Sequence, residues 1–480
     1  MKERHLYIEK DTGLKAYVLG AGAREHAFTK GLLESDRTIN VYTSTAAAVK
    51  NRGGEKAIVY RYDNNNPMQQ AVEMCERNGI DFVVVGPEQP LIDGVVNRLA
   101  EIGIPAFGPS KELAWIEGDK EKSKDFMKRN GIPTAEYRVF HDYDYPQAIR
   151  YVQSTGKPLV VKDPYPVLGK GAFVCDNQEQ ALLALEKILV KKELPSPGDK
   201  AVVEERLFGI EQSITVIVSG DDFIVLRRAR DYKRRDLGNK GPITGSMGGY
   251  SPDGNDAIFS QQKVIDRIVV PLIEGVRREI GKPYKGIIYP GLMWVYENGE
   301  WHPKALEVNI RGGDPETQLV LPQLKEDPVE IIINTINGRL GESPVSFSEE
   351  TFLGVYAVSG KIPKQGTEEE YEGYPGKYKP GQVINGIQDI GEDEKGYVLH
   401  GGTRWVCRDR KQHLGECKEG HYETSGGRVA LAVGRGTDLP TARANGYEKL
   451  NGFHFNSKDA RPDIGDPELL RQEREQLEKH

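Results

Sequence analysis

Residues 14–19, LKAYVL, form a short, mostly apolar run that passes directly into Gly20-Ala21-Gly22-Ala23-Arg24-Glu25-His26, and a helical pattern follows over 27–34. Strand, glycine turn and helix start make the first unit of a parallel α/β sheet, and no other stretch constrains the fold as tightly. The glycines let the backbone approach a phosphate, and free N–H groups at a helix N-terminus favour an anion. Two features argue against a dinucleotide-binding unit. The spacing G-x-G-x-R lacks a third glycine, and the next strand, residues 39–43, ends without an acidic residue to hold a ribose. Arg24 and His26 beside the turn suit a monophosphate.

Two further strands extend the pattern. Residues 81–85, DFVVV, lead into Gly86-Pro87-Glu88-Gln89-Pro90-Leu91, and residues 104–107 end in Gly108-Pro109-Ser110. Ligands of open α/β sheets collect at the C-terminal ends of the strands, so these loops and the glycine turn are expected to line one pocket. The domain closes at about residue 117.

After Gly118 the texture changes. Residues 119–130, DKEKSKDFMKRN, read as a helix with Lys120 and Lys124 one turn apart, stopped by Gly131-Ile132-Pro133. Residues 158–162, PLVVK, are a strand that sets Lys162 against an apolar run. The segment from Asp163 to Gly171 carries Lys170 between two glycines, a loop able to fold over phosphates although it is no Walker loop. Residues 201–207 and 212–218 read as antiparallel strands around a turn with Glu211, placing Glu204 and Glu205 where an adenine amino group can be read. Residues 228–249 hold four arginines and two lysines in a glycine-rich loop suited to an anionic substrate. Residues 264–280 are an amphipathic helix, and 286–295 a strand leading by hairpin to KALEVNIRGGDPETQ. In that stretch Leu306, Val308 and Ile310 face one way, and Glu307 and Asn309 the other. A carboxylate and an amide oxygen on one face suit Mg²⁺, which takes hard oxygen ligands and shares them with nucleotide phosphates. Beyond residue 343 the chain is β-rich and glycine-rich, with a helix over 437–450.

Composition bounds the class. The 480 residues suffice for roughly three domains of about 150 residues each. A net charge of −7 argues against a nucleic-acid binder. No run approaches the ~18 apolar residues of a membrane helix, and the first residues lack a signal-peptide core. Cys75, Cys175, Cys407 and Cys417 lack paired spacing and read as reduced thiols, so a cytoplasmic protein is expected.

The order of these pieces resembles the ATP-grasp ligases, and more narrowly the glycinamide ribonucleotide synthetase (phosphoribosylamine–glycine ligase) family. GAGAREHA, VVVGPEQPL, FGPS, DKEKSKDFMKRNGIPTAEY, GPITGSMGGYSP, YPGLM, EVNIRGGDPETQ, GYPGKY and TSGGRV carry the resemblance, which runs from Lys15 to Gly465. It implies a multidomain α/β and α+β chain: a substrate-binding α/β domain with a short leader (1–117), a small ATP-grasp lobe (118–195), a large lobe with the metal site (196–342), a β-rich C-terminal domain (343–460) and a charged tail (461–480). It implies ATP at Lys120, Lys162, Lys170, Glu204, Glu205, Leu207 and Glu211. Mg²⁺, with Mn²⁺ as a substitute, would sit at Glu307 and Asn309. Catalysis by charge neutralisation would fall to Arg311 and Lys170. Substrates would meet Gly22, Arg24, Glu25, His26, Glu88, Leu91, Asn239, Arg311, Asp314, Pro315 and Glu316. The implied partners are small molecules, with neither nucleic acid nor membrane, and the implied state is a monomer or homodimer.

Departures from the family pattern fall at ligand loops. Residues 43–49 read TSTAAAV where P-G-N-A-G-T is usual, Asn239 replaces an Asp, Ile243 an Asn, Gly312 a Phe and Pro290 an Ala, while residues 163–171 gain prolines. Two enzyme readings follow: a divergent glycinamide ribonucleotide synthetase, and a ligase repurposed for another amino acid and another phosphate- or phosphonate-bearing acceptor. A non-catalytic ATP-binding protein is a third reading, and a nicotinamide dehydrogenase fits least.

Overall fold

The computed structural model describes residues 7–44, 56–167, 171–252, 259–364, 369–408 and 419–477. Strands β1 (Leu14–Leu19), β2 (Thr38–Thr43), β3 (Ala57–Val59), β4 (Phe82–Val85) and β5 (Ala106–Phe107) form a parallel sheet in the order β3-β2-β1-β4-β5. The order reverses between β1 and β4, so the segments after these two strands open side by side at one edge. Helix α1 (Ala23–Glu34) starts at Ala23, earlier than periodicity suggests, because Gly22 is its N-cap and the Glu25 carboxylate accepts the Gly22 N–H at 2.6 Å.

A four-stranded antiparallel sheet follows, with β6 (Tyr137–His141), β7 (Leu159–Lys162), β8 (Ala172–Cys175) and β9 (Lys200–Glu205) in the order β6-β9-β7-β8. It has its own apolar core, centred on Val161, Leu185 and Ala201. The expected hairpin between 201–207 and 212–218 does not form. β9 pairs with β6 and β7, while β10 (Ile210–Ser213) joins the next sheet, so residues 206–209 cross between lobes. A glycine is needed in that crossing: a Cβ on Gly209 would stand 1.9 Å from the Trp294 carbonyl oxygen. The small lobe therefore continues past residue 195 to Glu205. The lysine helix Lys120–Arg129, capped by the Asp119 side chain, instead sends Phe126 and Met127 into the core shared by the first domain and the large lobe.

In the large lobe, β10, β11 (Val216–Ser219) and β12 (Asp222–Val225) precede four short strands: β13 (Arg230–Asp231), β14 (Arg234–Asp236), β15 (Lys240–Ile243) and β16 (Gly248–Ser251). These four correct the reading of 228–249 as one loop. Arg228 and Arg230 are buried, donating to the Phe259 carbonyl and pairing with Glu473, so two of its cations are used inside the fold. The long hairpin β17 (Lys285–Glu297) and β18 (Glu300–Asn309) completes the lobe's sheet. β13 and β16 pair outward, with β19 (Thr351–Ser359), the strand Arg428–Gly436 and the strand Gly396–His400, and thus stitch the large lobe to the C-terminal domain.

Three further readings change. Arg461 is 1% exposed, pairs with Asp463 and lies 5.0 Å from the Tyr232 ring centre; Leu470 enters the C-terminal core. The segment read as a charged tail is thus partly interior, since a buried guanidinium needs the partners found there. Cys75 and Cys175 are buried free thiols, but Cys407 is disulfide-bonded where reduced thiols were expected. It ends the outgoing strand Thr403–Cys407 of a hairpin, a place where strand pairing brings distant residues close; Cys417 lies outside the described residues. Finally, Ile8 of the unassigned leader exchanges backbone hydrogen bonds with the Asn337 amide. No helix among the described residues is long and apolar enough to cross a membrane.

Candidate active site

One cleft gathers most of the singled-out side chains, and its floor is the end of β18. The β17–β18 register shifts at Gly291/Leu292, which leaves Leu306 without a partner. This bulge alters the expected alternation: Ala305, Val308 and Ile310 are buried, whereas Leu306 is only partly so. The Leu306 carbonyl instead accepts a hydrogen bond from Lys162 at 3.3 Å.

On one wall, lysines surround carboxylates. Glu204, 1% exposed, pairs through Oε2 with Lys162 at 2.9 Å and with Lys124 at 3.2 Å, while its Oε1 is buried without a partner. Glu204 thus differs from the expectation of a carboxylate turned to an adenine amine, because two ammonium groups claim it. Glu205 accepts the Glu136 N–H at 3.1 Å, and Leu207 lies in the crossing between lobes. Lys120 donates to the Tyr165 carbonyl at 3.2 Å. Withdrawal from water pushes Lys120 down and Lys124 down to about 8, against the pull of Glu307 and Glu204 respectively. Glu307 shows the opposite balance. Burial acts to raise its carboxyl, but Lys233, Lys162, Lys120 and Arg311 outweigh it and hold it at about 2, a permanent anion. Asn309 turns its amide nitrogen to Glu307 at 3.5 Å, and its Oδ1 accepts from Arg311 at 3.4 Å, so the carboxylate and the amide meet at the end of β18. One carboxylate and one amide suit an ion that takes its other oxygens from a bound ligand. Glu211 pairs with Lys233, which Glu211, Asp231 and Glu307 keep protonated despite burial.

On the other wall, arginines alternate with acids. Arg311 pairs with Glu117 at 3.1 Å and Glu88 at 3.5 Å, and Arg24 reaches Glu88 at 4.0 Å and Glu25 at 2.8 Å. Arg24 also donates to the Gly312 carbonyl at 3.0 Å, tying the glycine turn to the bend after β18. Asp314 pairs with Arg428 at 2.8 Å, Pro315 caps the helix Glu316–Val320, and Glu316 accepts from Tyr289 at 2.6 Å and Ser213 at 3.2 Å.

Several expected positions take other roles. The glycine turn encloses the Glu25 carboxylate: a Cβ on Gly20, Gly22 or Gly86 would lie 2.1–2.9 Å from Glu25 atoms. The anion that Gly22 receives here is a side chain. His26 accepts the His400 N–H at 2.9 Å through Nδ1, so its ring docks the C-terminal domain. Leu91 is fully buried in the core, leaving only its backbone for any ligand. Asn239 accepts from Arg461 at 3.0 Å, outside the acid–arginine chain. A Cβ on Gly312 would lie 2.2 Å from Thr317 Oγ1 and 3.6 Å from Arg24 Cδ, so the space that a larger side chain would take there is already filled. Lys170 and residues 45–49 lie outside the described residues. Lys124, Glu117 and Arg428 belong to the cleft although they were not assigned from sequence. Its spacing from Lys120 marks Lys124 in the sequence without giving it a role, Arg428 follows Gly426-Gly427, and Glu117 carried no signal.

Comparison with known proteins agrees with this architecture. Three family models match in order: the phosphoribosylglycinamide synthetase N domain over 14–117, its ATP-grasp (A) domain over 118–317 and its C domain over 371–467. A phosphoribosylamine–glycine ligase of Caldanaerobacter subterraneus is 33% identical over 94% of this chain and 99% of its own. That of Halalkalibacterium halodurans is 34% identical over 94% and 96%. A bifunctional purine biosynthetic protein of Dictyostelium discoideum is 34% identical over 95% of this chain, which spans 55% of that longer protein. Among solved structures, the phosphoribosylamine–glycine ligase of Thermotoga maritima superposes with a TM-score of 0.74 and 26% identity, covering 94% of this chain and 100% of that one. The biotin carboxylase domain of Hydrogenobacter thermophilus 2-oxoglutarate carboxylase, solved with MgADP, shares the fold at a TM-score of 0.64 and 18% identity, over 96% of this chain and 93% of that one. This chain belongs to the phosphoribosylglycinamide synthetase family of ATP-grasp ligases.

Proposed function

We propose that the chain joins glycine to phosphoribosylamine at the expense of ATP. The observation that carries this reading is the cleft's division: a permanent anion among lysines on one wall, and an arginine–acid chain tied to the glycine turn on the other. Lys120, Lys162 and Lys124 supply charge for a triphosphate. Glu307 and Asn309 would hold Mg²⁺, and Mn²⁺ as its substitute, because both offer hard oxygens from the end of β18, that of Asn309 being shared with Arg311 at 3.4 Å. When bound, the ion supplies charge neutralisation to the transferring phosphoryl group. The glycine carboxylate attacks the γ-phosphorus and ADP leaves. The amine nitrogen then attacks the acyl carbon, phosphate leaves, and the nitrogen loses a proton. Arg311 reaches both walls and is placed to steady charge through both steps. Arg24 is the cation offered to the phosphorylated amine. Lys170 is retained as the loop lysine of this reading, and the protein is placed in the cytoplasm as a monomer or homodimer.

The repurposed ligase and the non-catalytic protein are not favoured. Asn239 and Gly312, two of the substitutions behind the former, are engaged by Arg461 and Thr317. The test is ADP release with Mg-ATP and single amino acids, each with and without fresh phosphoribosylamine. Turnover confined to glycine plus phosphoribosylamine is expected; turnover only with another pair would refute the assignment.

A further inference from the structure

Arg428 enters the cleft from the C-terminal domain and holds two separate segments at once. Its Nη2 pairs with Asp314 Oδ2 at 2.8 Å and its Nη1 donates to the Asp314 carbonyl at 3.2 Å. The same Nη1 donates to the Gly245 carbonyl at 2.5 Å, and the Gly245 N–H donates to Tyr374 Oη at 2.8 Å. Gly245 is thus gripped through both backbone polar groups by residues of the C-terminal domain. The guanidinium lies 4.6 Å from the Tyr356 ring centre, and the Tyr356 hydroxyl bonds to the second Asp314 oxygen. The preceding glycines make room for this placement: a Cβ on Gly427 would stand 2.5 Å from the Tyr374 ring, and one on Gly426 2.9 Å from the Gly402 Cα. Asp314 is three residues beyond Arg311, and Gly312 between them accepts from Arg24. The clamp therefore acts on the same bend that Arg24 holds from the other side.

We propose that Arg428 is a positioning residue for the phosphorylated-amine side of the cleft, fixing the bend at 311–316 against the segment around Gly245 without touching the nucleotide. A planar fork suits the task, because it meets a carboxylate and two carbonyls in fixed directions; a lysine offers one point charge. Among the described residues no element of the lysine wall bonds to Arg428, and its loss is expected to spare ATP.

The inference rests on the ligase reading, and the test separates the two. Wild-type ADP release with glycine and phosphoribosylamine examines the ligase reading. Calorimetric binding of ribose 5-phosphate and of Mg-ADP examines Arg428 without turnover. Arg428→Met is expected to raise the ribose 5-phosphate Kd, and the phosphoribosylamine KM, by roughly tenfold or more, with the Mg-ADP Kd held within about twofold. Asp314→Asn is expected to do the same, the double variant to add little, and Arg428→Lys to fall between. Asp314→Asn and Arg428→Lys carry the test if the methionine variant does not fold. An unchanged ribose 5-phosphate affinity, equal weakening of both ligands, or no ribose 5-phosphate binding by the wild type would each overturn the proposal.

Discussion

On the lysine wall, Lys120, Lys124 and Lys162 face Glu204 and Glu307, with Asp163 and Glu117 also near Lys120, whereas on the arginine wall Arg24 and Arg311 lie among Glu25, Glu88 and Glu117. The first wall presents three ammonium groups to a polyanion. On the second each guanidinium is already paired with carboxylates, so its charges serve geometry as much as attraction. Their construction differs as well. The lysine wall combines a strand of the small lobe, which has its own core, with a helix rooted in the core of the base. The arginine wall is drawn from the first domain, the bend after β18 and the C-terminal domain, which meet without leaving a lobe free. A wall with its own core can shift relative to the base; a wall stitched from three segments keeps fixed distances.

Changes on the lysine wall are expected to have the largest effects. Glu307→Gln and Lys162→Met are each expected to lower kcat/KM for ATP by roughly a thousandfold, with the glycine KM little changed, in steady-state ADP-release assays. A comparable loss in glycine KM would show that the walls are not separable. Arg311→Lys keeps charge but loses the fork that reaches Glu117 and Glu88, and should cost about a hundredfold in kcat with effects on both substrates. An effect confined to ATP would place Arg311 on one wall only.

Much of this contrast was legible in the sequence, and unevenly so. Glu307 and Asn309 stand two apart on a strand, and Lys120 and Lys124 one turn apart on a helix, so local periodicity sets each pair on one face. The parallel order of the first sheet followed from strands ending in glycine-rich loops. What stayed hidden depends on partners far along the chain. Arg428 meets Asp314, and His26 meets His400, only after the third domain has docked. The bulge at Leu306 hid for another reason, since no residue there breaks the alternation that it shifts.

Smaller effects sharpen the picture. Glu25→Ala removes the carboxylate that caps α1 within the glycine turn, and thermal or denaturant unfolding should report a loss of about 1–2 kcal/mol. A neutral result would mean that the turn is held by its glycines alone. The smallest effect is a pH slope. Burial holds Lys124 at about 8, against about 10.4 in an unfolded chain. Between these values the unfolded chain keeps a proton that the folded chain has released, so this group makes stability rise with pH, by at most about 1.4 kcal/mol per pH unit. Denaturant titrations across that window should show the slope in the wild type and not in Lys124→Met. A slope retained in the variant would assign it to another group.

The central claim, that the two walls cooperate to phosphorylate a glycine carboxylate before the amine attacks, is tested most directly by following oxygen. Glycine labelled with ¹⁸O in its carboxylate is incubated with Mg-ATP and phosphoribosylamine, and the released phosphate is analysed by mass spectrometry. Each phosphate is expected to carry one oxygen from glycine, because the bridging oxygen of the acyl phosphate leaves with phosphorus. Product formed alongside unlabelled phosphate would contradict it.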